Sequence, residues 1–153
     1  MRLIFAAITV FLFASQVTAQ VVTDCERWQA NLRNLAEPWE ENTRQFANGA
    51  VRISVIDTLE PAVAAFHLAI LSPPYSELGD RQCRMVSLDD SGFGFSGVIF
   101  NEMTAGYDPA TGLGLDLPII LYMPQTADFQ RVGLGLTINQ ATGEIGTKIY
   151  PVD

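Results

Sequence analysis

Short apolar runs separated by closely spaced turn residues fill the sequence from residue 51 onwards, and this pattern constrains the fold most. Val51, Ile53 and Val55 alternate with Arg52 and Ser54, which is the period of two expected of a β-strand. Each later apolar run is bounded by Gly, Pro, Asp or Asn, so further short strands are expected. The predicted strands are 51–56, 62–71, 82–88, 93–100, 113–122, 131–139 and 144–150.

Turn chemistry predicts where these strands end. Pro73 and Pro74 are expected to end the second strand, because proline has no backbone N–H to donate to a ladder. Residues 108–112 and 139–143 both begin with Asp or Asn and close with Ala-Thr-Gly. The closing glycine can adopt a positive φ, so both segments are predicted to be hairpin loops.

The stretch before residue 48 has a helical pattern instead. Thr23 followed by Glu26 has the spacing of a capping box, and apolar residues then recur at spacings of three and four. Pro38 opposes a continuous helix but suits the first turn of a new one. We therefore expect helices over 24–36 and 38–47, or one helix kinked at Pro38. The apolar stripe comprises Cys25, Trp28, Leu32, Leu35 and Trp39, and its two tryptophans are interpreted as core residues rather than a sugar-stacking platform.

These patterns together predict an α+β fold. An N-terminal helix would pack on a mostly antiparallel sheet of about seven short strands, in a single domain spanning residues 20–153. Glycines also recur at alternate positions, which leaves one strand face without side chains. Such a face suits close approach of the helix, of a second sheet or of a protein partner. The pairs are Gly92/Gly94, Gly112/Gly114 and Gly133/Gly135.

The N-terminal nineteen residues indicate export. Residues 1–19 contain Arg2, an apolar run over 3–13 and a Val-Thr-Ala end, which is the pattern of a cleaved secretory signal. The run is too short to span a bilayer, so no membrane span is expected after cleavage. The signal is short and alanine-rich, as in bacteria, so the predicted location is the periplasm or the secreted fraction.

The only two cysteines, Cys25 and Cys83, are predicted to form a disulfide that pins the helix to the sheet. Closing a loop of this length stabilises a fold by about 4 kcal/mol in the chain-entropy model. No Cys-x-x-Cys pair is present, and two distant cysteines with one histidine do not make a zinc site.

The charge of the chain argues against polyanionic partners. Without Arg2, eight Lys and Arg remain against 17 Asp and Glu, a net charge of −9. Such a protein repels phosphate backbones and anionic lipids, so nucleic acid and membrane surfaces are not expected partners.

Catalytic motifs are weak. His67, the single histidine, lies in an apolar strand and is interpreted as a buried core residue. Residues 94–97, Gly-Phe-Ser-Gly, approach a nucleophile elbow, but Val98 stands where that motif requires glycine. Paired carboxylates could cleave glycosides, and the 108–116 loop could hold calcium, but neither pattern is specific. The candidate carboxylates are Asp89, Asp90, Glu102, Asp108 and Asp116, and no catalytic residue, cofactor or metal is assigned.

Three functions remain open. The first is a non-enzymatic periplasmic protein that binds another protein of the cell envelope or assists envelope assembly. The second is a carrier whose sheet curls into a cup around a small apolar ligand. The third is a hydrolase that uses carboxylates alone. The oligomeric state is not predicted.

Overall fold

The computed structural model describes residues 20–152, and its regular elements are β-strands joined by loops and three-residue 3-10 turns. The predicted signal peptide, residues 1–19, lies outside the described residues. No described helix has the length and apolarity to cross a membrane. The strands are β1 (Val21–Asp24), β2 (Thr43–Phe46), β3 (Val51–Asp57), β4 (Phe66–Tyr75), β5 (Arg81–Ser87), β6 (Gly97–Val98), β7 (Thr104–Asp108), β8 (Gly112–Met123), β9 (Asp128–Ile138) and β10 (Ile145–Pro151).

The strands form two antiparallel sheets, so the predicted α+β class is wrong. The first sheet has the order β1-β5-β4-β3-β2, and the second has the order β10-β9-β8-β6, with β7 also pairing to β8. Every ladder between the described strands is antiparallel. The fold is therefore a β-sandwich.

A single hydrophobic core fills the space between the sheets. Ile53, Leu68 and Ile70 of the first sheet and Leu134 and Ile138 of the second have no exposed surface. The alternation along each strand directs these side chains to the inner face. Burying each of them contributes about 1.5–3 kcal/mol. Packing of the two inner faces thus holds the sheets together.

The predicted N-terminal helix is absent, because its residues hydrogen-bond to the first sheet and to one another in non-helical patterns. Thr23 lies in β1, and two 3-10 turns, Trp28–Ala30 and Leu32–Asn34, follow. The Asn34 side-chain amide donates to the carbonyl oxygens of Trp28 and Gln29, at 3.2 and 3.0 Å. Such local bonds compete with helical ones.

The predicted apolar stripe is not the buried face of this segment. Gln29, Asn34 and Ala36 are buried, whereas the Trp28 and Leu32 side chains are 58% and 81% exposed. The segment ends on β3, where the Ala36 amide donates to the Val55 oxygen at 3.0 Å. The buried residues of this segment are therefore Gln29, Asn34 and Ala36 rather than Trp28 and Leu32.

The second predicted helix is also wrong. Residues 38–42 form a turn in which the Glu41 amide donates to the Pro38 oxygen, and β2 follows. Trp39 is 55% exposed, so the interpretation of both tryptophans as core residues is wrong.

Most predicted strands of the C-terminal two-thirds are confirmed within a few residues, with two corrections. β4 begins four residues later than predicted. It also continues through Pro73 and Pro74, which were expected to end it, because its ladder to β5 shifts register between Ser72 and Tyr75. Prolines are tolerated at such an irregularity, where no regular ladder donor is needed. The predicted strand over 93–100 is reduced to the two residues of β6.

Both predicted hairpin loops are confirmed. Gly112 and Gly143 have φ of 98° and 80°, the left-handed conformation that the pattern implied. The Asp108 carboxylate accepts from the Ala110 amide at 2.6 Å, and the Asn139 side-chain oxygen accepts from the Ala141 amide at 3.0 Å. These bonds fix the loops at one end of the second sheet.

Candidate docking surface

Strand β7 lies at an edge of the second sheet and lacks the Lys and Pro residues that commonly protect an edge strand. Among the described residues it pairs with β8 alone, and all five of its residues are exposed. Edge strands are commonly protected by Lys or Pro, and β10 contains both, Lys148 and Pro151. β7 has the sequence Thr-Ala-Gly-Tyr-Asp and contains neither. Its outward-facing backbone groups are therefore open to another strand.

The pairing of β7 with β8 assigns its side chains to two faces. Tyr107 is opposite Leu113, a core residue, so Tyr107 is on the side of the sheet that faces the first sheet. Ala105 shares that side, whereas Thr104 is opposite Asp116 on the outer side. Tyr107 is nevertheless 70% exposed, because the first sheet does not cover this strand.

A cleft of about 740 Å³ opens beside Tyr107. Its walls come from the turn after β2, from the irregular end of β4 and from the two hairpin loops. No carboxylate, amine, guanidinium or imidazole group is among the lining side chains. The lining residues are Ala47, Pro73, Tyr107, Pro109, Gly112, Leu113, Asn139, Gln140 and Ala141. The volume is that of a small-molecule or side-chain site.

The glycine pairs behave differently from one another. Side chains of β10 cover the outer side of Gly133 and Gly135, which face Tyr150 and Lys148 across the strand pair. The Tyr150 hydroxyl donates to the Asp116 carboxylate at 3.0 Å. Burial and this bond raise the pKa of Tyr150. This part of the glycine face is therefore occupied by the chain itself.

Gly94 shows the close approach that the pattern predicted. Its amide donates to the Ala64 oxygen at 2.8 Å, and a Cβ there would overlap the Phe66 carbonyl. In contrast, Gly106 has no neighbour within 4 Å of an added Cβ, and Gly114 has only the Gly106 oxygen, at 3.7 Å. Gly106 and Gly114, which are opposite each other in the β7–β8 hairpin, are thus both open.

His67 is buried, as predicted, and is 1% exposed. Its Nδ1 lies 2.8 Å from the Ser87 hydroxyl, and its Nε2 has no hydrogen-bond partner among the described residues. Burial lowers the pKa of His67 to about 4. A Ser–His pair is the start of a catalytic triad, but this pair is inaccessible to substrate. The Ser96 hydroxyl, the other nucleophile considered, donates to the Val63 oxygen.

The structure does not gather the five candidate carboxylates into one site. Asp89 accepts from the Ser91 amide at 2.9 Å and Asp108 has its own loop bond, so both have local turn roles. Glu102 forms an ion pair with Arg131, at 2.5 Å. Glu102 and Asp116 share a depression, which is shallow and has a volume of about 170 Å³. The described residues include no group of three potential metal ligands, at the 108–116 loop or elsewhere.

The predicted disulfide is confirmed. Cys25 and Cys83 are bonded, with a Cα–Cα distance of 5.4 Å and a sequence separation of 58 residues. The bond pins the start of the N-terminal segment to β5, although that segment is not the predicted helix. It is compatible with an oxidising compartment outside the cytoplasm.

Sequence reasoning missed the β7 surface. Residues 104–108 are too few, and contain too few apolar side chains, to show a clear alternation. Tyr107 had no predicted role, and the cleft-lining residues of the hairpin loops had only turn roles in the prediction. Comparison with models of protein families, with curated proteins and with solved structures finds no match.

Proposed function

We propose that this protein is a non-enzymatic binding module that docks an extended segment of another protein along β7. The observation that carries the proposal is an edge strand exposed at all five residues, beside a cleft without ionic groups. In β-augmentation, main-chain hydrogen bonds to a free edge supply affinity, and adjacent pockets that receive alternate side chains supply specificity. β7 and the cleft at Tyr107 provide both parts in one continuous surface.

The cellular setting is part of the proposal. The disulfide and the export signal expected at residues 1–19 support the periplasm as the compartment, with the secreted fraction as the alternative. The docked protein would be a component of the cell envelope, and the module would assist its assembly.

The cleft also favours a second candidate, a carrier of a small apolar ligand. Its volume lies within the range of about 300–1,000 Å³ found for ligand pockets. The space between the sheets is filled by core side chains, so the ligand would sit at the end of the sandwich rather than in a cup. A thermal-shift screen of apolar ligands tests this candidate, and Tyr107→Ala should abolish any stabilisation found. The dispersed carboxylates give the hydrolase little support.

Two proline variants test the docking proposal. Neighbouring residues of an edge strand direct their N–H groups to opposite sides. Of Ala105→Pro and Gly106→Pro, one therefore removes an outward donor and preserves the β8 ladder, and the other breaks that ladder. Thermal unfolding identifies the variant that keeps the ladder, since its midpoint stays close to that of the wild type.

The tagged chain and both variants would be used to capture proteins from an envelope extract of the source organism. The proposal expects a partner that the wild type retains and the ladder-keeping variant loses. Of Gly146→Pro and Thr147→Pro on the edge strand β10, the variant that keeps its unfolding midpoint serves as the matched control and should retain the partner. If the ladder-keeping variant captured the same partner as the wild type, β7 would not be the docking edge.

A further inference from the structure

We infer that residues 25–36, here called the strap, open locally from the outer side of the first sheet when His67 beneath them takes up a proton. The two sheets stay folded in the open form. The strap covers the first sheet and β7 belongs to the second, so this inference stands apart from the docking function.

The attachments of the strap place it across β4. Its first residue, Cys25, is bonded to Cys83 of β5. Near its other end, Leu35 forms an antiparallel bridge with Ile56 of β3, and the 3-10 turn Trp28–Ala30 also contacts β3. β4 lies between β5 and β3 in the sheet, so the strap passes from one side of β4 to the other.

Residues on the outer side of the first sheet are buried, although the second sheet covers only the inner side. Leu68 points into the core, so its neighbour His67 is on the outer side with its hydrogen-bond partner Ser87. Both are buried, and so is Gln29 of the strap. The Gln29 side-chain amide lies 3.5 Å from the Gly92 oxygen, in the loop that follows β5. The strap, attached to both neighbours of β4, is therefore the cover over His67.

The closed strap leaves two polar atoms unsatisfied. Gln29 Oε1 and His67 Nε2 are buried and have no hydrogen-bond partner among the described residues. Such burial is costly, and opening of the strap lets water bond both atoms. The Trp28 and Leu32 side chains are exposed, so closure buries little of their apolar surface. The strap is therefore held less firmly than the strands of the core.

A proton on His67 acts against closure. The Nδ1 atom of the neutral imidazole is paired with the Ser87 hydroxyl, at 2.8 Å. The charged imidazole carries a proton on each nitrogen, and in the closed form Nε2 has no acceptor among the described residues. A buried charge without a partner costs more than a buried neutral group, and opening returns the charge to water.

Charged groups on the surrounding elements do not compensate for this cost. On the outer side, β3 and β5 contribute the cations Arg52 and Arg81, which disfavour a further positive charge. The Asp57 and Asp89 carboxylates accept from backbone amides of their own turns. Desolvation lowers the pKa of His67 to about 4. The remaining charged residues of the strap and of the loop after β5 are exposed, and they are Glu26, Arg27, Arg33 and Asp90.

Amide hydrogen exchange of the mature chain, residues 20–153, tests the inference. The Ala36 amide, which donates to the Val55 oxygen at 3.0 Å, reports on the strap, and the slowest amides of β8 and β9 report on global unfolding. After correction for intrinsic exchange, the opening constant at Ala36 should exceed the global constant about tenfold or more at every pH. It should also rise roughly fortyfold between pH 6.5 and pH 4.5, because the open strap restores the ordinary pKa of 6.5 to His67.

Protein variants assign this rise to the imidazole. His67→Asn and His67→Gln introduce amides that do not titrate, and either should abolish the pH dependence at Ala36. Asp57→Asn and Asp89→Asn are the matched controls, because they remove carboxylates from the elements around His67, and both should retain the full rise. Unfolding midpoints establish which variants are folded. If neither histidine variant folds, the rise in the wild type and its retention in the aspartate variants decide.

Three results would overturn the inference. Equal opening constants at Ala36 and in β8 and β9 would show that the strap opens only when the whole protein unfolds. A rise that persists in a folded histidine variant, or that disappears in either aspartate variant, would assign the pH dependence to another group. A larger constant at Ala36 that does not change with pH would show that the strap opens without control by His67.

Discussion

At the scale of single residues, His67 shows how burial decides chemistry. Its imidazole is enclosed on the outer side of the first sheet, with one nitrogen bonded to Ser87 and the other without a described partner. Burial disfavours the charged form, and the folded-state pKa of about 4 lies below the ordinary value of 6.5. The residue is therefore neutral in the folded protein at neutral pH.

This shift predicts a loss of stability in acid. Between pH 6.5 and pH 4 the unfolded chain binds a proton at His67 and the folded chain does not, so the free energy of unfolding falls as the pH is lowered. The contribution of His67 is fully present above pH 6.5 and falls by about 3 kcal/mol by pH 4. Urea unfolding at a series of pH values measures the slope.

A variant isolates this contribution from those of the carboxylates. His67→Asn keeps a polar group near Nδ1 and should flatten the slope by about one proton between pH 6.5 and 4. Identical slopes for the variant and the wild type would contradict the prediction. The imidazole NMR signals of the wild type provide a second measurement, and they should show no protonation above about pH 5.

The two tryptophans show what sequence pattern could not supply at this scale. Trp28 and Trp39 have the spacing of a buried helical stripe, but both are more than half exposed. The buried positions are Gln29 and Asn34, and Asn34 bonds to the backbone of its own segment. Apolar spacing indicates which residues could share a face, whereas the burial of Gln29 and Asn34 depends on how the segment lies against the first sheet.

At the scale of elements, the strands with clear alternation and sharp turns were predictable. Apolar and other residues alternate strongly along β3, β8, β9 and β10. The two Ala-Thr-Gly loops were predictable because each closes on a glycine, which adopts a positive φ. β7 was not predictable, because its existence depends on pairing with β8 and its own side chains are all exposed. The candidate docking surface was missed for the same reason.

A second feature at this scale is a side chain of one strand that packs over a glycine of the neighbouring strand. The Tyr150 ring lies over Gly133, its partner in the β9–β10 ladder, and fills the space that a side chain would take. An aromatic side chain placed over a strand glycine restores packing that the glycine lacks. Gly114 is on the same outer face, but its nearest non-adjacent atom lies 3.7 Å from an added Cβ.

These two glycines predict opposite results for the same substitution. Gly133→Ala should lower the free energy of unfolding by about 1–3 kcal/mol, because the methyl group displaces the Tyr150 ring. Gly114→Ala should be neutral or slightly stabilising, because the site has room and glycine is a poor strand former. The urea unfolding midpoints of the two variants measure this difference. Equal losses of stability at both sites would contradict the packing of Tyr150 over Gly133.

At the scale of the whole molecule, the sequence predicted β-strands but not their division into two sheets. Local alternation indicates that a strand has a buried face, yet it does not say whether a helix or another sheet covers that face. Here Leu68 of β4 and Leu134 of β9 are buried in the same core, and the sheets cover each other. The incorrectly predicted helix offered another element that could cover the buried face of the sheet, and this led to the wrong fold class.

A shared core predicts that the two sheets unfold together. Leu134→Ala, in the second sheet, should lower the free energy of unfolding by about 2–5 kcal/mol. Trp28 and Trp39 report on the segment that joins β1 to β2 of the first sheet, whereas circular dichroism reports on all strands. Because one core links the sheets, the Leu134→Ala transition should shift equally by both signals.

Leu68→Ala, in the first sheet, is the matched variant. A tryptophan-detected transition that moves with Leu68→Ala and not with Leu134→Ala would show that the sheets unfold independently, and the β7 surface would then be carried by a separately stable unit.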